Sequence, residues 1–248
     1  MSYQILRSTA FPALLLLPMW AGTASAVEPE TPADQACFFD LRAGFTRSHA
    51  PEIEEETNAS GGGPTKYEWE GTNTHGMEFT LGAMTGRLCD YGGMVIGGQV
   101  AYAQYDISPS FFRRNDGITF SPAGYQLRNR TAGIDLMAGY GWSSSLNPDD
   151  LAVYLEFTPF VGGGASWADT EGLNTAAARV KESGMGWYYE HGLRGGLYLT
   201  ERHFIVGVTG HYAWGSGEVD IDLPGGGKST LTLDRAGFGG GVEAGWRF

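Results

Sequence analysis

Cysteine is scarce: the 248 residues hold only Cys37 and Cys89. Two thiols exclude a disulfide-dense scaffold and a cysteine-rich zinc site. Charge is thin as well, at 18% of residues against a usual ~25%. What there is leans acidic, with 16 Lys and Arg against 28 Asp and Glu and a net charge of -12. A nucleic-acid binder needs a basic stripe, so no nucleic-acid partner is expected. Beyond residue 27 no apolar run is long enough for a transmembrane helix. Glycine is abundant, at 39 residues, but without a Gly-X-Y period, which excludes a collagen-like chain. Aromatics, at 13%, argue against disorder.

Residues 1–26 carry a single charge, Arg7, then an apolar run centred on Leu14 to Leu17, then Ala24-Ser25-Ala26. A positive start, a short greasy stretch and small residues describe a secretory signal peptide, with cleavage expected after Ala26. Pro12 and Pro18 argue against a membrane anchor helix. Export would place both cysteines in an oxidising compartment. The expected division is a signal peptide over 1–26, a short periplasmic segment over 27–35 and a single β domain over 36–248.

That domain reads with a period of two. In residues 131–142, Ala132, Ile134, Leu136, Ala138, Tyr140 and Trp142 share one face. Gly133, Asp135, Met137, Gly139 and Gly141 share the other. Successive strand side chains point to opposite faces, so one face is apolar and the other small or charged. The same alternation recurs at 37–46, 77–86, 93–105, 152–167, 186–199, 204–214 and 231–248. In the last of these, Leu233, Phe238, Val242, Trp246 and Phe248 form the apolar set. The chain is therefore predicted to be all-β, with eight antiparallel strands. Short connections fall near 87–91, 144–150 and 200–203, and long ones near 51–75, 106–129, 169–184 and 216–229.

A soluble sandwich could also alternate. Three features favour a barrel in a membrane instead. Glycine and charge share a face, as in a narrow filled lumen. Aromatics gather at strand ends, as in interfacial girdles, and the turns are short on one side and long on the other. Lipid leaves no backbone unpaired, so such a sheet must close on itself. The band at Leu136, Leu155, Val206 and Val242 is expected to face lipid.

The chain ends Gly245-Trp246-Arg247-Phe248. An aromatic-x-Phe terminus on an amphipathic last strand resembles the signal read by the bacterial outer-membrane insertion machinery. Together with the signal peptide and eight strands, residues 36–248 resemble small outer-membrane barrels of the OmpA-like or opacity-protein type. The resemblance implies an eight-stranded up-and-down transmembrane barrel in the cell outer membrane. Its partners would be outer-membrane lipids, lipopolysaccharide and, during assembly, the insertion machinery. The expected protein is a non-catalytic monomer without cofactor or metal, whose rigid strands hold acidic extracellular loops for surface interaction or envelope integrity. The alternatives are a lipid-modifying enzyme and a small cation-preferring channel.

The predicted interior carries Asp40, Arg42, Glu78, Asp135, Glu156, Glu190, Arg194, His211, Glu243 and Arg247. Counted from the periplasmic ends, Asp40, Arg42, Glu243 and Arg247 should lie together, with Arg42 coupled to Glu243. Glu156 and Arg194 should match on adjacent strands. Above them Glu78, Asp135 and Glu190 have only His211, and Arg194 from below, to balance them. Tyr154, Tyr188, Tyr198 and Met137 should block the middle, leaving a filled lumen or a vestibule open to the outside. Cys37 and Cys89 share an outward parity at neighbouring strand feet. A disulfide between them would put Phe39 opposite Arg87 and Ala43 opposite Ala83.

Other patterns weigh less. Residues 224–229 look like a phosphate loop, but Asp222 occupies the first glycine position and no helix follows, so a flexible surface loop is expected. Glu52, Glu54, Glu55, Glu56, Glu68 and Glu70 face only Lys66 and read as a solvated acidic face rather than a divalent-cation site. The glycosylation patterns at Asn58 and Asn129 carry little weight in a bacterial-looking chain. His211 resembles the histidine of lipid A deacylase barrels, but Ala213 stands where their serine nucleophile would be. Ser216 and Glu218 fall past the strand end. His191 has lipid-facing parity between Tyr189 and Leu193.

Overall fold

The computed structural model describes residues 35–48, 51–58, 63–70, 73–89, 91–121, 124–173, 179–223 and 226–248. The expected signal peptide and residues 27–34 lie outside the described residues. The strands, in chain order, are β1 (Gln35–Ser48), β2 (Glu52–Asn58), β3 (Thr65–Glu70), β4 (Asn73–Cys89), β5 (Gly92–Ser108), β6 (Phe111–Arg114) and β7 (Thr119–Phe120). They continue as β8 (Gln126–Ser143), β9 (Ala152–Leu173), β10 (Arg179–Glu201), β11 (Phe204–Leu223), β12 (Gly227–Asp234) and β13 (Gly237–Arg247). Among the described residues no helix is long and apolar enough to cross a membrane.

All pairings are antiparallel. β1 pairs with β4, β4 with β5, β5 with β8, and β8 with β9. β9 pairs with β10, β10 with β11, β11 with β13, and β13 with β1. The pairing therefore closes on itself through the eight long strands, and over that height no strand presents an open edge. Tight links join the strands at one end. Tyr91 and Arg202 occupy them with φ of 73° and 52°, in the left-handed region.

The opposite end departs from expectation. Most of the predicted long connections are themselves strand. β12 adds to β11, β2 to β12, β3 to β2, β6 to β3 and β7 to β6, so a second wall rises above the ring. β9 runs on to Leu173 and β10 begins at Arg179. An apolar core makes this wall ordered: Ile53, Trp69, Phe112, Val219, Ile221, Leu231 and Leu233 are buried together with Tyr105, Ile107 and Leu127 of the ring strands. Glu-rich sequence hid this alternation, because only every second residue of β2 and β3 points inward. The glycine-rich segment expected to be a loose loop contributes Gly227, Lys228 and Ser229 to β12, and Lys228 Nζ donates to Asp220 at 2.8 Å.

The last predicted strand is two strands. The chain breaks at Arg235 and Ala236, between β12 and β13. Leu233 is therefore fully buried in the upper core rather than on the lipid-facing side. The break also turns Arg235 into the lumen.

The predicted disulfide is not formed. Cys37 lies opposite Arg87 and Cys89 opposite Gln35, while Phe39 faces Thr85 and Ala43 faces Leu81. Both thiols are free and exposed. The register is two residues away from the one a directly opposed cysteine pair needs, and parity alone cannot detect a slip of two.

Candidate functional site: a two-layered lumen beneath an acidic wall

Inward positions of the ring strands build the lumen in layers. Its floor is apolar, with Phe38, Met84, Leu88, Val95, Tyr154 and Ile205 buried together. Directly above lies an ionic layer. Asp40 accepts from Arg42 at 2.7 Å and from Arg247 at 2.7 and 2.8 Å. Arg42 reaches across the lumen to Glu156 at 2.8 Å. Arg194 pairs with Glu243 and lies 3.5 Å from Glu156. The Tyr198 hydroxyl stands between the two glutamates, 3.1 Å from Glu156 and 2.9 Å from Glu243. Three acids therefore meet three bases, and none is left over.

The composition of this layer agrees with the sequence reading, but its pairing does not. Arg42 couples to Glu156 rather than to Glu243. Backbone register places Glu243 beside Gly44 and Arg42 beside Gly245. The aromatic neighbours help: the Arg42 guanidinium lies 4.5 Å over the Tyr198 ring and that of Arg247 lies 4.2 Å over Phe38. A cation over a ring face is worth ~0.5–2 kcal/mol.

The upper layer is built from Glu78, Asp135 and Glu190, all buried. Asp135 accepts from Gln99 at 2.9 Å. Glu190 accepts from Arg235 at 3.1 Å, and the Arg235 guanidinium lies 4.4 Å over the Tyr188 ring. Arg235 is the functional residue that sequence reasoning missed. Its position among Leu231, Leu233 and Phe238 suggested an unbroken strand; the only signal was the parity change between Leu233 and Phe238. The apolar core of the upper wall lies above these carboxylates.

His211 lies inside, edge-on to the Phe160 ring at 6.3 Å. It neighbours Arg194 and Gly239 in register. Ser216 and Glu218 have the opposite parity on β11, and Glu218 is exposed. Histidine, serine and glutamate thus sit on different faces of one strand, whereas nucleophilic catalysis needs hydroxyl and base within hydrogen-bond reach. His191 is exposed on the outer face, stacked on Trp214 at 6.0 Å and 24°.

The outer wall of the ring is apolar. Leu136, Leu155, Val206 and Val242 are all exposed there, Leu136 at 62%. Trp246 and Phe204 pack edge to face at one end of this band; Phe248 also lies there and packs against Phe39. Trp187 and Tyr189 stack at the other. In water such a band would be a severe liability, whereas against lipid it is the required surface.

Above the band the wall turns acidic. Glu218, Thr232, Glu54, Glu68 and Arg113 follow one another in register across five strands. Arg113 bridges to Glu68 at 3.4 Å and also to Glu70; Lys66 bridges to Glu56 at 3.3 Å. The sequence reading had only Lys66 opposite these acids, and the second cation comes from β6. Glu55 is the exception among them. It turns inward and accepts from Ser229 at 2.7 Å.

No family model matches the chain, and no curated protein matches it. Among solved structures it is similar to the outer membrane protein OprG from Pseudomonas aeruginosa, at 14% identity over 87% of this chain and 97% of that one, with a TM-score of 0.38. It is also similar to Ail, the attachment invasion locus protein of Yersinia pestis, at 14% identity over 86% and 99%, with a TM-score of 0.32. The outer membrane protease OmpT from Escherichia coli aligns at 11% identity over 88% and 97%, with a TM-score of 0.29.

Proposed function

We propose that the chain is an integral protein of the cell outer membrane. In this reading the closed sheet is an eight-stranded up-and-down barrel of the OmpA-like or opacity-protein kind, made with a cleaved signal peptide. The insertion machinery reads Trp246 and Phe248, and the mature protein works as a monomer among outer-membrane lipids and lipopolysaccharide. Its role is non-catalytic and needs no cofactor: the ordered acidic wall outside the membrane serves surface interaction or envelope integrity. Binding surfaces carried on a rigid scaffold are a common arrangement.

One observation carries this reading: buried side chains occupy the lumen apart from one water-sized cavity, while the acidic wall has a core of its own. Eight strands enclose a bore that side chains can fill. Here an apolar floor, an ionic layer and an aromatic cap do so. Purified monomer in a planar bilayer at neutral pH is expected to show no steady conductance. Large, reproducible steps would instead establish a channel. In cells, exchanging Glu52, Glu54 and Glu68 for Gln should alter adhesion or envelope resistance while the yield of folded barrel stays the same.

A further inference from the structure

The ionised lumen is not neutral. The lower layer balances Asp40, Glu156 and Glu243 against Arg42, Arg194 and Arg247. The upper chamber sets Glu78, Asp135 and Glu190 against Arg235 alone. With His211 on the lining counted as uncharged, two negative charges are left over among buried side chains. Buried charge without a partner is expensive, so a compensating positive charge is required.

The chamber has room for one. A cavity of about 20 Å³, the space of roughly one water, touches all three carboxylates. Asp135 is 3% exposed, and its Oδ1 has no hydrogen-bond partner. Gly162 lies opposite both Asp135 and Glu190 in register, and a Cβ there would collide with Asp135 Oδ1. Glycine at 162 thus lets the Asp135 carboxylate lie against the neighbouring backbone, and Asp135 also lines the cavity. Oxygen donors from Thr46, Thr80, Thr209 and Gln99 complete the lining. Small hard cations take such oxygens.

We propose that this chamber is a binding site for a small monovalent cation, supplied either as a sodium ion or as a proton on the carboxylates. Among the described residues no three Asp, Glu, His or Cys converge as the ligands of a metal ion would, so a sodium ion here would draw on the oxygens of Thr46, Thr80, Thr209 and Gln99 as well as on a carboxylate. The groups that face the site are accounted for strand by strand. β4 brings Glu78, β8 Asp135, β10 Glu190 and Arg194, β11 His211 and β13 Glu243. β1, β5 and β9 bring Thr46, Gln99 and Phe160 to the lining, none of them ionisable. Arg235 and Tyr188 close the top. Either cation reduces the excess by one.

The full-length mature barrel, folded in detergent, tests this by thermal unfolding at constant ionic strength, with sodium exchanged for the bulky cation N-methylglucamine. If sodium is the occupant, the melting temperature rises with sodium, and Asp135→Asn abolishes the rise. If the proton is the occupant, sodium has no effect. Stability then falls as pH rises from 6 to 9, because the folded state holds protons that the unfolded chain has released. Glu78→Gln or Asp135→Asn flattens that fall. Glu218→Gln, on the outer wall, should preserve whichever dependence is seen. A wild-type barrel indifferent to both sodium and pH overturns the proposal. So does a dependence that survives in the Glu78→Gln, Asp135→Asn double variant.

Discussion

The two layers of the lumen use the same residue types to opposite ends. The lower layer is a closed account of charge, in which every carboxylate meets a guanidinium and Tyr198 links the two glutamates. The upper layer leaves a carboxylate oxygen bare and a small cavity among its acids. A matched network locks strands together, because each partner is stranded if the other is lost. A mismatched one leaves chemical capacity unspent. The barrel therefore holds its shape with the first layer and keeps any capacity to respond in the second.

The sharpest way to break the lower layer is Arg42→Met, which removes the shorter ion pair of Glu156, leaving it Arg194 at 3.5 Å, and leaves Asp40 with Arg247 alone. A loss of ~3–5 kcal/mol is expected by urea unfolding in liposomes. Adding Glu156→Leu should recover more of it than adding Glu243→Leu, which takes the partner of Arg194 and leaves Glu156 only its longer contact with that guanidinium. Equal rescue by both would refute the pairing across the bore.

Behind this layer the same residue type would meet lipid. Val208 lies between Val242 and Leu197 on the outer face. Val208→Arg should cost ~2–4 kcal/mol, and Val206→Arg, nearer the Trp246 girdle, less. A guanidinium tolerated equally inside and outside would deny the membrane placement. A gentler probe addresses the upper layer. Gly162→Ala pushes a methyl onto the Asp135 carboxylate and should cost ~1–3 kcal/mol through overpacking. Gly195→Ala, whose Cβ would find only Glu156 O at 3.8 Å, should be far milder. Both are read by the same unfolding assay.

The contrast between the layers was only partly legible in the sequence. Strict alternation assigned inner and outer faces along seven of the eight ring strands, since lipid and lumen demand opposite residues. It gathered all six charges of the lower layer and the three acids of the upper. It could not supply the partners, because pairing across a bore depends on shear and side-chain reach rather than on parity. The same limit misplaced the cysteine register by two residues. Arg235 was lost at a break in phase, where period-two reasoning has no purchase. The upper wall was read as loops because its outward residues are glutamates, and Ile53, Tyr67 and Trp69 alternating among them are too few to stand out.

The smallest expected effect lies in that wall, where a single acid behaves like the upper chamber rather than like its own neighbours. Glu54 and Glu56 point to water, but Glu55 turns inward between Ser229 and Thr57. Burial pushes its carboxyl above the usual range, against hydrogen bonds led by the one from Ser229 that pull it down. A carboxyl raised in the folded state holds its proton at pH values where the unfolded chain has already released it. Stability from this group is therefore full at low pH and declines as pH climbs through the raised value. Glu55→Gln removes the titration while keeping an oxygen for the Ser229 hydroxyl. The variant should match the wild type in mild acid and overtake it as pH rises, by well under the effect of any lumen change. The readout is proteolysis of the outer wall in intact proteoliposomes, since local opening of this wall need not unfold the ring. If Glu55→Gln and wild type lose protection in parallel across pH, Glu55 is a solvated surface acid like Glu54, and the likeness between wall and chamber fails.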